Sequence, residues 1–218
     1  VAAPYSTCVG AGPFVAERAM SEDWCNILRK FGNEYGAATG RPRRVGPFDA
    51  VASRYGLKCQ HADKIALTKL DVLSSLTEIP VITAYERNHK TTTVFDPTEN
   101  IDSFSPVVTM LPGWKQDISA CRKYEDLPEN ARLYIETLER LLDCDIQFIS
   151  TGAERNEYMI KGEWLLGHPQ HGTGFRMNWK KHVLRNPVLP SAPPAAALLT
   201  HTAINTGRKH CVLVICFI

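Results

Sequence analysis

The segment Thr68-Lys69-Leu70-Asp71 places a cation and a carboxylate directly after an apolar run. A carboxylate at a strand end can accept two hydrogen bonds from guanine, at N1–H and at the 2-amino group, and adenine offers no such donor pair. A buried acceptor that the wrong base leaves unpaired costs about 1–3 kcal/mol, so this arrangement favours guanine. The methylene stem of Lys69 could cover the face of the base. The same residues are also typical of an ordinary surface turn.

A second polar loop, Ser150-Thr151-Gly152, follows the apolar segment 145–149. That segment predicts a strand, and in parallel α/β sheets ligands bind beyond the carboxyl ends of the strands, where both loops are expected. The backbone N–H groups of the second loop could then contact the carbonyl oxygen of guanine. Taken alone, Ser-Thr-Gly is usually only a turn, so the prediction of a guanine site depends on the two loops together.

The segment 36–44, GAATGRPRR, is a loop of small residues followed by arginines. Guanidinium groups pair bidentately with carboxylates and phosphates, and glycine lets the backbone approach closely, so the segment predicts an anion-binding loop whose arginines face the ligand. Two alternatives are a solvated basic turn and, for Gly40-Arg41-Pro42, a hook that binds the minor groove of A·T-rich DNA. Such hooks lie in basic, repeated, disordered segments, whereas this one occurs once between aromatic and apolar residues, which disfavours DNA binding.

A glycine-rich turn, Val9-Gly-Ala-Gly12-Pro13-Phe14, lies near Val1. Its glycines would let backbone atoms meet a flat ligand closely. The phosphate-binding patterns GxxxxGK[ST] and GxGxxG after a strand do not occur in the sequence, so neither kind of phosphate loop is predicted.

The spacing of apolar residues predicts the elements that position these loops. Behind Pro128, apolar residues recur at helical spacing at Ala131, Tyr134, Ile135, Leu138, Leu141 and Leu142. Strands are predicted at 65–68, 81–85, 91–95 and 145–149, the second and third as a hairpin, and a helix begins within 49–55. These elements predict an α/β fold with a mainly parallel sheet, flanking helices and a small antiparallel hairpin.

The composition changes abruptly near residue 163. Residues 1–163 hold all 23 acidic side chains, and residues 164–218 hold none. We therefore divide the chain into a globular part, 1–163, and an atypical segment, 164–218, which we expect to be disordered or non-native. The five histidines of that segment lack cysteine partners and a repeated ligand spacing, which disfavours a metal site.

Charge and cysteine content exclude other classes of protein. A formal net charge of +2 indicates neither a nucleic-acid partner nor a membrane partner. The seven dispersed cysteines form no CxxC pair and are typical of reduced thiols in the cytoplasm. The sequence starts at Val1 rather than at a methionine, which suggests a piece of a longer protein.

Six segments occur in the order and spacing found in adenylosuccinate synthetases, and the sequence resembles the C-terminal half of that family over residues 5–160. They are VGAGPF at 9–14, GNEYGAATGRPRR at 32–44, ALTKLDVL at 66–73, LPGWK at 111–115, YEDLPENARLYI at 124–135 and STG at 150–152. The resemblance implies a GTP-dependent ligase that joins L-aspartate to inosine monophosphate (IMP) with Mg²⁺. Its products would be adenylosuccinate, GDP and phosphate, in the biosynthesis of AMP.

The resemblance also implies roles for individual residues. The aspartate-binding loop would consist of Ala37, Ala38, Thr39, Gly40, Arg41, Pro42 and Arg43. IMP would be contacted by Val9 and Arg41. GTP would be bound by Arg43, Lys69, Leu70, Asp71, Ser150, Thr151 and Gly152.

Three departures from the family pattern matter. Ala38 replaces the first of two threonines in the aspartate loop, and Ala153 replaces a proline. The family's phosphate loop, catalytic aspartate and histidine, and magnesium ligands belong to an N-terminal half that has no counterpart in this sequence, so no catalytic or metal-binding residue is assigned. We expect no turnover by this chain alone and a homodimer for the full-length enzyme. The alternative function is a catalytically inactive guanine-nucleotide-binding module.

Overall fold

The computed structural model describes residues 1–162, and the predicted atypical segment, 164–218, lies outside them. Three α-helices and nine strands occur in this part of the chain. In chain order they are β1 (Ser6–Cys8), α1 (Glu22–Gly32), β2 (Arg44–Gly46), β3 (Phe48–Asp49), α2 (Ala50–Gln60), β4 (Lys64–Leu67), β5 (Glu78–Arg87), β6 (Lys90–Thr92), β7 (Ser105–Pro112), α3 (Glu129–Leu142), β8 (Asp145–Ser150) and β9 (Tyr158–Ile160). Short 3-10 helices lie between several of them.

The strands within residues 1–162 form one antiparallel sheet of two strands and two sheets of mixed direction. In the first sheet, β1 and β2 are antiparallel. In the second, β5 is parallel to β3 and antiparallel to β6 and β7. In the third, β8 is parallel to β4 and antiparallel to β9. The α/β class is confirmed, but most pairings in this part of the chain are antiparallel, where the sequence predicted a mainly parallel sheet. β7 and β9 account for much of the difference. β7 carries two prolines, which lack the N–H that a central strand needs, and β9 has only 3 residues, so neither was predicted.

β5 and β6 form the predicted hairpin. Asn88 and His89 connect the two strands with φ of 52° and 58°. Positive φ at both positions gives a two-residue turn whose twist matches that of the strands. β6 ends at Thr92, before the predicted end at residue 95.

The helices begin and end where side chains or backbone geometry replace missing backbone hydrogen bonds. The Asp49 carboxylate accepts a hydrogen bond from the Ala52 N–H at 3.0 Å and begins α2 in the predicted segment. Asp143, with φ of 54°, ends α3 in the left-handed conformation. None of the helices in residues 1–162 is long and apolar enough to cross a membrane.

The predicted helix α3 packs its apolar face on the sheet that contains β4 and β8. Tyr134 and Leu138 of α3 are fully buried in one core cluster with Leu67 of β4 and Ile149 of β8. Close packing of this core fixes the positions at which the two strands end.

Candidate functional site

The loops that follow β4 and β8 lie side by side at one edge of their sheet. The two strands are parallel, and Leu67 pairs with Ile149 immediately before the loops begin. Because neighbouring strands are about 4.8 Å apart, the segments 68–71 and 150–152 leave the sheet together. We call these two segments the guanine loops, after the base that the sequence predicts they bind.

Two polar atoms in the guanine loops are buried without a hydrogen-bond partner within residues 1–162, namely Asp71 Oδ1 and Thr151 Oγ1. Thr151 is 0% exposed. Burial raises the pKa of the Asp71 carboxyl above its ordinary value, and the nearby carboxylate of Glu157 adds to the effect. Buried polar groups are rarely left without partners, so these atoms indicate where a polar ligand group would be accommodated.

Lys69 and Leu70 contribute to the first guanine loop in different ways. Leu70 is 0% exposed, so only its backbone can contact a nucleotide. Lys69 has φ of 60°, and its ammonium donates to the Gly32 carbonyl at 3.1 Å and to the Glu34 carboxylate at 2.8 Å. With the charged end held in this way, the methylene stem of Lys69 is the part that can lie against a base.

The second guanine loop is the start of a compact turn held by Glu157. Ser150 is the last residue of β8, and its hydroxyl donates to the Gly152 carbonyl at 2.9 Å. The Thr151 N–H donates to the Glu157 carbonyl at 2.8 Å, so this amide is engaged within the turn instead of facing a base as predicted. A Cβ at Gly152 would clash with the Glu157 carboxylate, so any larger residue there would require Glu157 to move. No sequence pattern had indicated Glu157.

The predicted aspartate loop, 37–43, lies between α1 and β2, and the segment 36–43 has its own backbone hydrogen bonds. The Gly36 N–H donates to the Arg41 carbonyl at 2.8 Å, and the Gly40 N–H donates to the Gly36 carbonyl at 2.7 Å. The tip, 37–42, is exposed throughout. The loop therefore has a defined backbone, and its side chains are accessible to an anion.

The Arg44 guanidinium is engaged by other residues of the chain, whereas the sequence predicted that the arginines of this loop face a ligand. Its guanidinium donates to the carbonyls of Gly10 at 3.1 Å and Gly12 at 2.6 Å, and to the Glu17 carboxylate at 2.8 Å. These bonds hold the turn after β1, in which Val9 is 70% exposed. Arg44 thus positions the turn of the predicted IMP contact.

Glu34 is the residue of this region that sequence analysis missed. It is 1% exposed, and its carboxylate accepts hydrogen bonds from Tyr5 at 2.6 Å, Lys69 at 2.8 Å and Arg43 at 3.2 Å. Burial by itself would raise the pKa of Glu34, but the hydrogen bonds from Lys69 and Tyr5 and the charges of Lys69 and Arg43 outweigh it and hold the pKa below its ordinary value. Its only sequence signal was a place in the segment GNEYG, before the aspartate loop.

No group of three or more His, Cys, Asp or Glu side chains in residues 1–162 is arranged to hold a metal ion. The part of the chain that the structure describes therefore contains no cluster of protein ligands that could enclose a metal ion by itself. The histidines considered above as metal ligands, in the segment 164–218, lie outside it.

Comparison with known proteins gives matches to one family. The model of the adenylosuccinate synthetase family matches residues 1–159. Adenylosuccinate synthetase of Trichlorobacter lovleyi is 43% identical over 157 residues, which cover 72% of this chain and 36% of the relative. The enzyme of that name from Fusobacterium nucleatum is 41% identical over 157 residues, which cover 70% of this chain and 36% of the relative. A solved structure of fully ligated adenylosuccinate synthetase from Plasmodium falciparum has a TM-score of 0.69 and 38% identity, and the match covers 74% of this chain and 39% of that one.

These matches are extensive for this chain and partial for its relatives. All six segments that carry the resemblance, from 9–14 to 150–152, lie within the residues that the family model matches. The chain spans 36% of the length of the two curated relatives. On this agreement of sequence segments, family model and fold, the chain belongs to the adenylosuccinate synthetase family.

Proposed function

We propose that this chain binds GTP where the two guanine loops meet. The observations that support this most directly are the Asp71 Oδ1 atom and the Thr151 hydroxyl, each buried without a hydrogen-bond partner within residues 1–162. Guanine offers N1–H and the 2-amino group to one carboxylate, whereas adenine offers an acceptor at N1 that would meet the carboxylate's lone pairs. Hydrogen bonds from guanine would offset the desolvation that raises the pKa of Asp71.

The neighbouring groups suit the rest of a guanine nucleotide. The stem of Lys69 would cover one face of the base, because its ammonium is held at Glu34. Gly152 has no side chain to obstruct the base, and Ser150 fixes the turn through the Gly152 carbonyl. Arg43 is proposed to contact both GTP and aspartate, because it lies at the end of the aspartate loop and shares Glu34 with Lys69.

The exposed tip 37–42, with Arg43, is proposed to bind L-aspartate, and Val9 and Arg41 are proposed to contact IMP. Guanidinium groups suit both the carboxylates of aspartate and the phosphate of IMP. The reaction of the whole enzyme would be the GTP-dependent ligation of L-aspartate to IMP, yielding adenylosuccinate, GDP and phosphate. Because the chain spans 36% of the length of its relatives, we assign this reaction to a whole enzyme and not to these residues alone. The Mg²⁺ ligands would then lie outside residues 1–162.

A catalytically inactive guanine-nucleotide-binding module is the second candidate. It is favoured by one observation: the chain spans 36% of the length of its relatives, while residues 1–162 still contain acceptors for guanine. Turnover distinguishes this candidate from the ligase, since both predict the same binding of GTP.

A cytoplasmic homodimer completes the proposal. Five cysteines in residues 1–162 are free, which is compatible with a reducing compartment. A formal net charge of +2 gives no reason to propose a nucleic-acid or membrane partner. Light scattering on the complemented enzyme would test the dimer proposed for the whole enzyme. DNA titrations of the 218-residue chain at two salt concentrations would test the absence of salt-dependent binding.

The test of the proposed function is calorimetric titration of the 218-residue chain with GTP and with ATP. Adenylosuccinate formation is then measured with the chain alone and with the remaining part of the Trichlorobacter lovleyi enzyme added as a separate polypeptide. Selective GTP binding, with turnover only after complementation, would support the ligase assignment. Selective GTP binding without turnover in either format would favour the inactive module, and equal affinity for GTP and ATP would refute the guanine site.

A further inference from the structure

We propose that Glu34 is a positioning residue shared by the first guanine loop and the aspartate loop, so that binding of a guanine nucleotide orders the aspartate loop. The inference rests on the proposed function for its ligand and on the geometry of one buried carboxylate for its mechanism. Nothing in the family match or in the sequence motifs assigns a role to Glu34.

The two oxygens of the Glu34 carboxylate serve different loops. Oε1 accepts hydrogen bonds from Lys69 Nζ at 2.8 Å and from the Tyr5 hydroxyl at 2.6 Å. Oε2 accepts from Arg43 Nη1 at 3.2 Å and from the Thr7 hydroxyl at 3.4 Å. Because a carboxylate is planar and rigid, a displacement of one oxygen displaces the other, and Lys69 and Arg43 are mechanically linked.

The backbone around Glu34 strengthens the same link. The Arg43 N–H donates to the Glu34 carbonyl at 2.9 Å and closes the base of the aspartate loop. Lys69 also donates to the Gly32 carbonyl at 3.1 Å, two residues before Glu34. The short segment 32–34 therefore holds Lys69 by two acceptors and Arg43 by two acceptors.

The burial of Glu34 makes this link selective for its native partners. At 1% exposure the carboxylate is shielded from water while both cations are in place. A buried charge that loses its partner is strongly disfavoured, so Glu34 favours those conformations in which both Lys69 and Arg43 are in place. A nucleotide that packs on the stem of Lys69 restricts that lysine, and the restriction passes through Glu34 to Arg43 and the tip 37–42.

The test is hydrogen–deuterium exchange on the full 218-residue chain, with and without GTP, for wild type and Glu34→Gln. In wild type, GTP should slow exchange in both 68–71 and 36–43. In Glu34→Gln, GTP should bind about tenfold more weakly, because one charged hydrogen bond to Lys69 becomes a neutral one. At saturating GTP the variant should still show slower exchange in 68–71, but no slowing in 36–43. Slowing of exchange in 36–43 that equals wild type would overturn the proposal.

The matched control is Glu139→Gln, another poorly exposed glutamate that pairs with a lysine. Its carboxylate accepts from the Ile146 N–H at 2.8 Å and from Lys161, and its side chain is 17% exposed. This variant loses a comparable ion pair outside the site, so its GTP response should equal that of wild type. A loss of the response in both variants would indicate general destabilisation and would count against a specific role of Glu34.

Lys69→Met provides a second variant in case Glu34→Gln does not fold. Methionine keeps an unbranched apolar stem and removes the ammonium. The lysine side chain is 34% exposed, and Arg43 still pairs with Glu34, so the fold should tolerate the change. GTP should again fail to slow exchange in 36–43. If GTP does not slow exchange in wild type, the proposed function is refuted. The role of Glu34 is then tested by comparing exchange in wild type and in Glu34→Gln without GTP. Glu34→Gln should then speed exchange in both loops, and unchanged exchange in either loop would refute the shared positioning.

Discussion

The guanine loops and the tip of the aspartate loop are organised in opposite ways. In the guanine loops, two polar atoms, Asp71 Oδ1 and Thr151 Oγ1, are buried without a partner in the part of the chain that the structure describes. The aspartate tip, 37–42, is exposed throughout and satisfies part of its backbone by hydrogen bonds within the loop. The first region follows two packed strands, whereas the second is a surface excursion from α1 to β2.

This difference separates two kinds of binding site. The guanine loops are positioned by the sheet, so their acceptors are already desolvated before a nucleotide arrives, and a wrong base would leave them unpaired. The aspartate tip remains exposed to solvent. It is anchored at its base, where Arg43 pairs with Glu34. We therefore expect selectivity to be concentrated in the guanine loops, and adaptability in the tip.

The largest expected effect is the loss of guanine selectivity in Asp71→Asn. The amide nitrogen of asparagine is a donor and would face a donor of guanine, so GTP affinity should fall about a hundredfold. Xanthosine triphosphate, which has a carbonyl in place of the 2-amino group, should gain affinity. Calorimetry with both nucleotides measures the change.

Asp145→Asn is the control for this substitution. Asp145 lies at the opposite end of the same strand pair, where it accepts from Lys64 across β4 and β8, and it is exposed. An exposed ion pair contributes about 0–1 kcal/mol, so GTP affinity should not change in the control. If Asp71→Asn bound GTP as tightly as wild type, the assignment of a guanine site would lose its basis.

The next largest effect is expected for Gly152→Ala. A Cβ there would clash with the Glu157 carboxylate and lie 3.2 Å from Glu157 Cβ, so the Glu157 side chain must move and the turn must adjust slightly. We expect GTP affinity to fall about tenfold, because a loop that is displaced from hydrogen-bonding geometry loses about one such bond to the base. Fluorescence titration with a labelled GTP analogue measures it.

Gly40→Ala tests the aspartate tip. Gly40 has φ of 64° and no atom within 4 Å of an added Cβ, so the substitution is strained but not crowded. It should cost about 1 kcal/mol of unfolding free energy and leave GTP affinity unchanged. Equal losses of GTP affinity in the two variants would show that the guanine loops are no more rigidly positioned than the aspartate tip.

A smaller effect is expected from pH. The pKa of the free Asp71 carboxyl lies above its ordinary value of 3.8, chiefly because of burial, and guanine requires the ionised carboxylate. GTP affinity should therefore be complete above that raised pKa and should fall as the pH decreases through it. Bound GTP favours the ionised form, so binding near this pKa should release protons. Calorimetry in two buffers of different ionisation enthalpy detects that release, and Asp71→Asn should abolish it.

The smallest effect is expected for Ala38→Thr, which restores the hydroxyl usual in the family. Ala38 is exposed, so the unfolding free energy should change by no more than about 0.5 kcal/mol. Aspartate affinity of the complemented enzyme should rise by about two- to tenfold, the contribution of one neutral hydrogen bond. Thermal unfolding and aspartate titration measure the two quantities. A large change in stability would mean that the tip is less open to solvent than its exposure indicates.

Local patterns predicted the elements that carry the guanine loops. The apolar spacing behind Pro128 gave α3, and the segment 145–149 is β8 but for its last residue. Asp49 begins α2 because its side chain can accept a backbone hydrogen bond within the same short segment. These features depend on residues that are close in sequence, so they could be read without knowledge of the fold.

The pairing of strands could not be read in the same way. β7 extends from Ser105 to Pro112 and pairs with β5, whose first residue, Glu78, is the partner of Pro112. Prolines and exposed residues in β7 weaken its strand pattern, and only the neighbouring β5 makes it a strand. The prediction of a mainly parallel sheet was therefore wrong, because antiparallel pairings outnumber parallel ones in residues 1–162. The parallel pair that positions the guanine loops is nevertheless present.

The sequence by itself determined which chemical groups the guanine loops contain and that both loops follow strands. These features could be predicted because each is encoded by a few consecutive residues. Only the tertiary structure decided that β4 and β8 are adjacent and parallel, that Arg44 holds the turn of Val9, and that Glu34 joins Lys69 to Arg43. The physical reason is that each of these contacts joins residues that are far apart in sequence. Such contacts form only when the core has packed, and no local pattern encodes them.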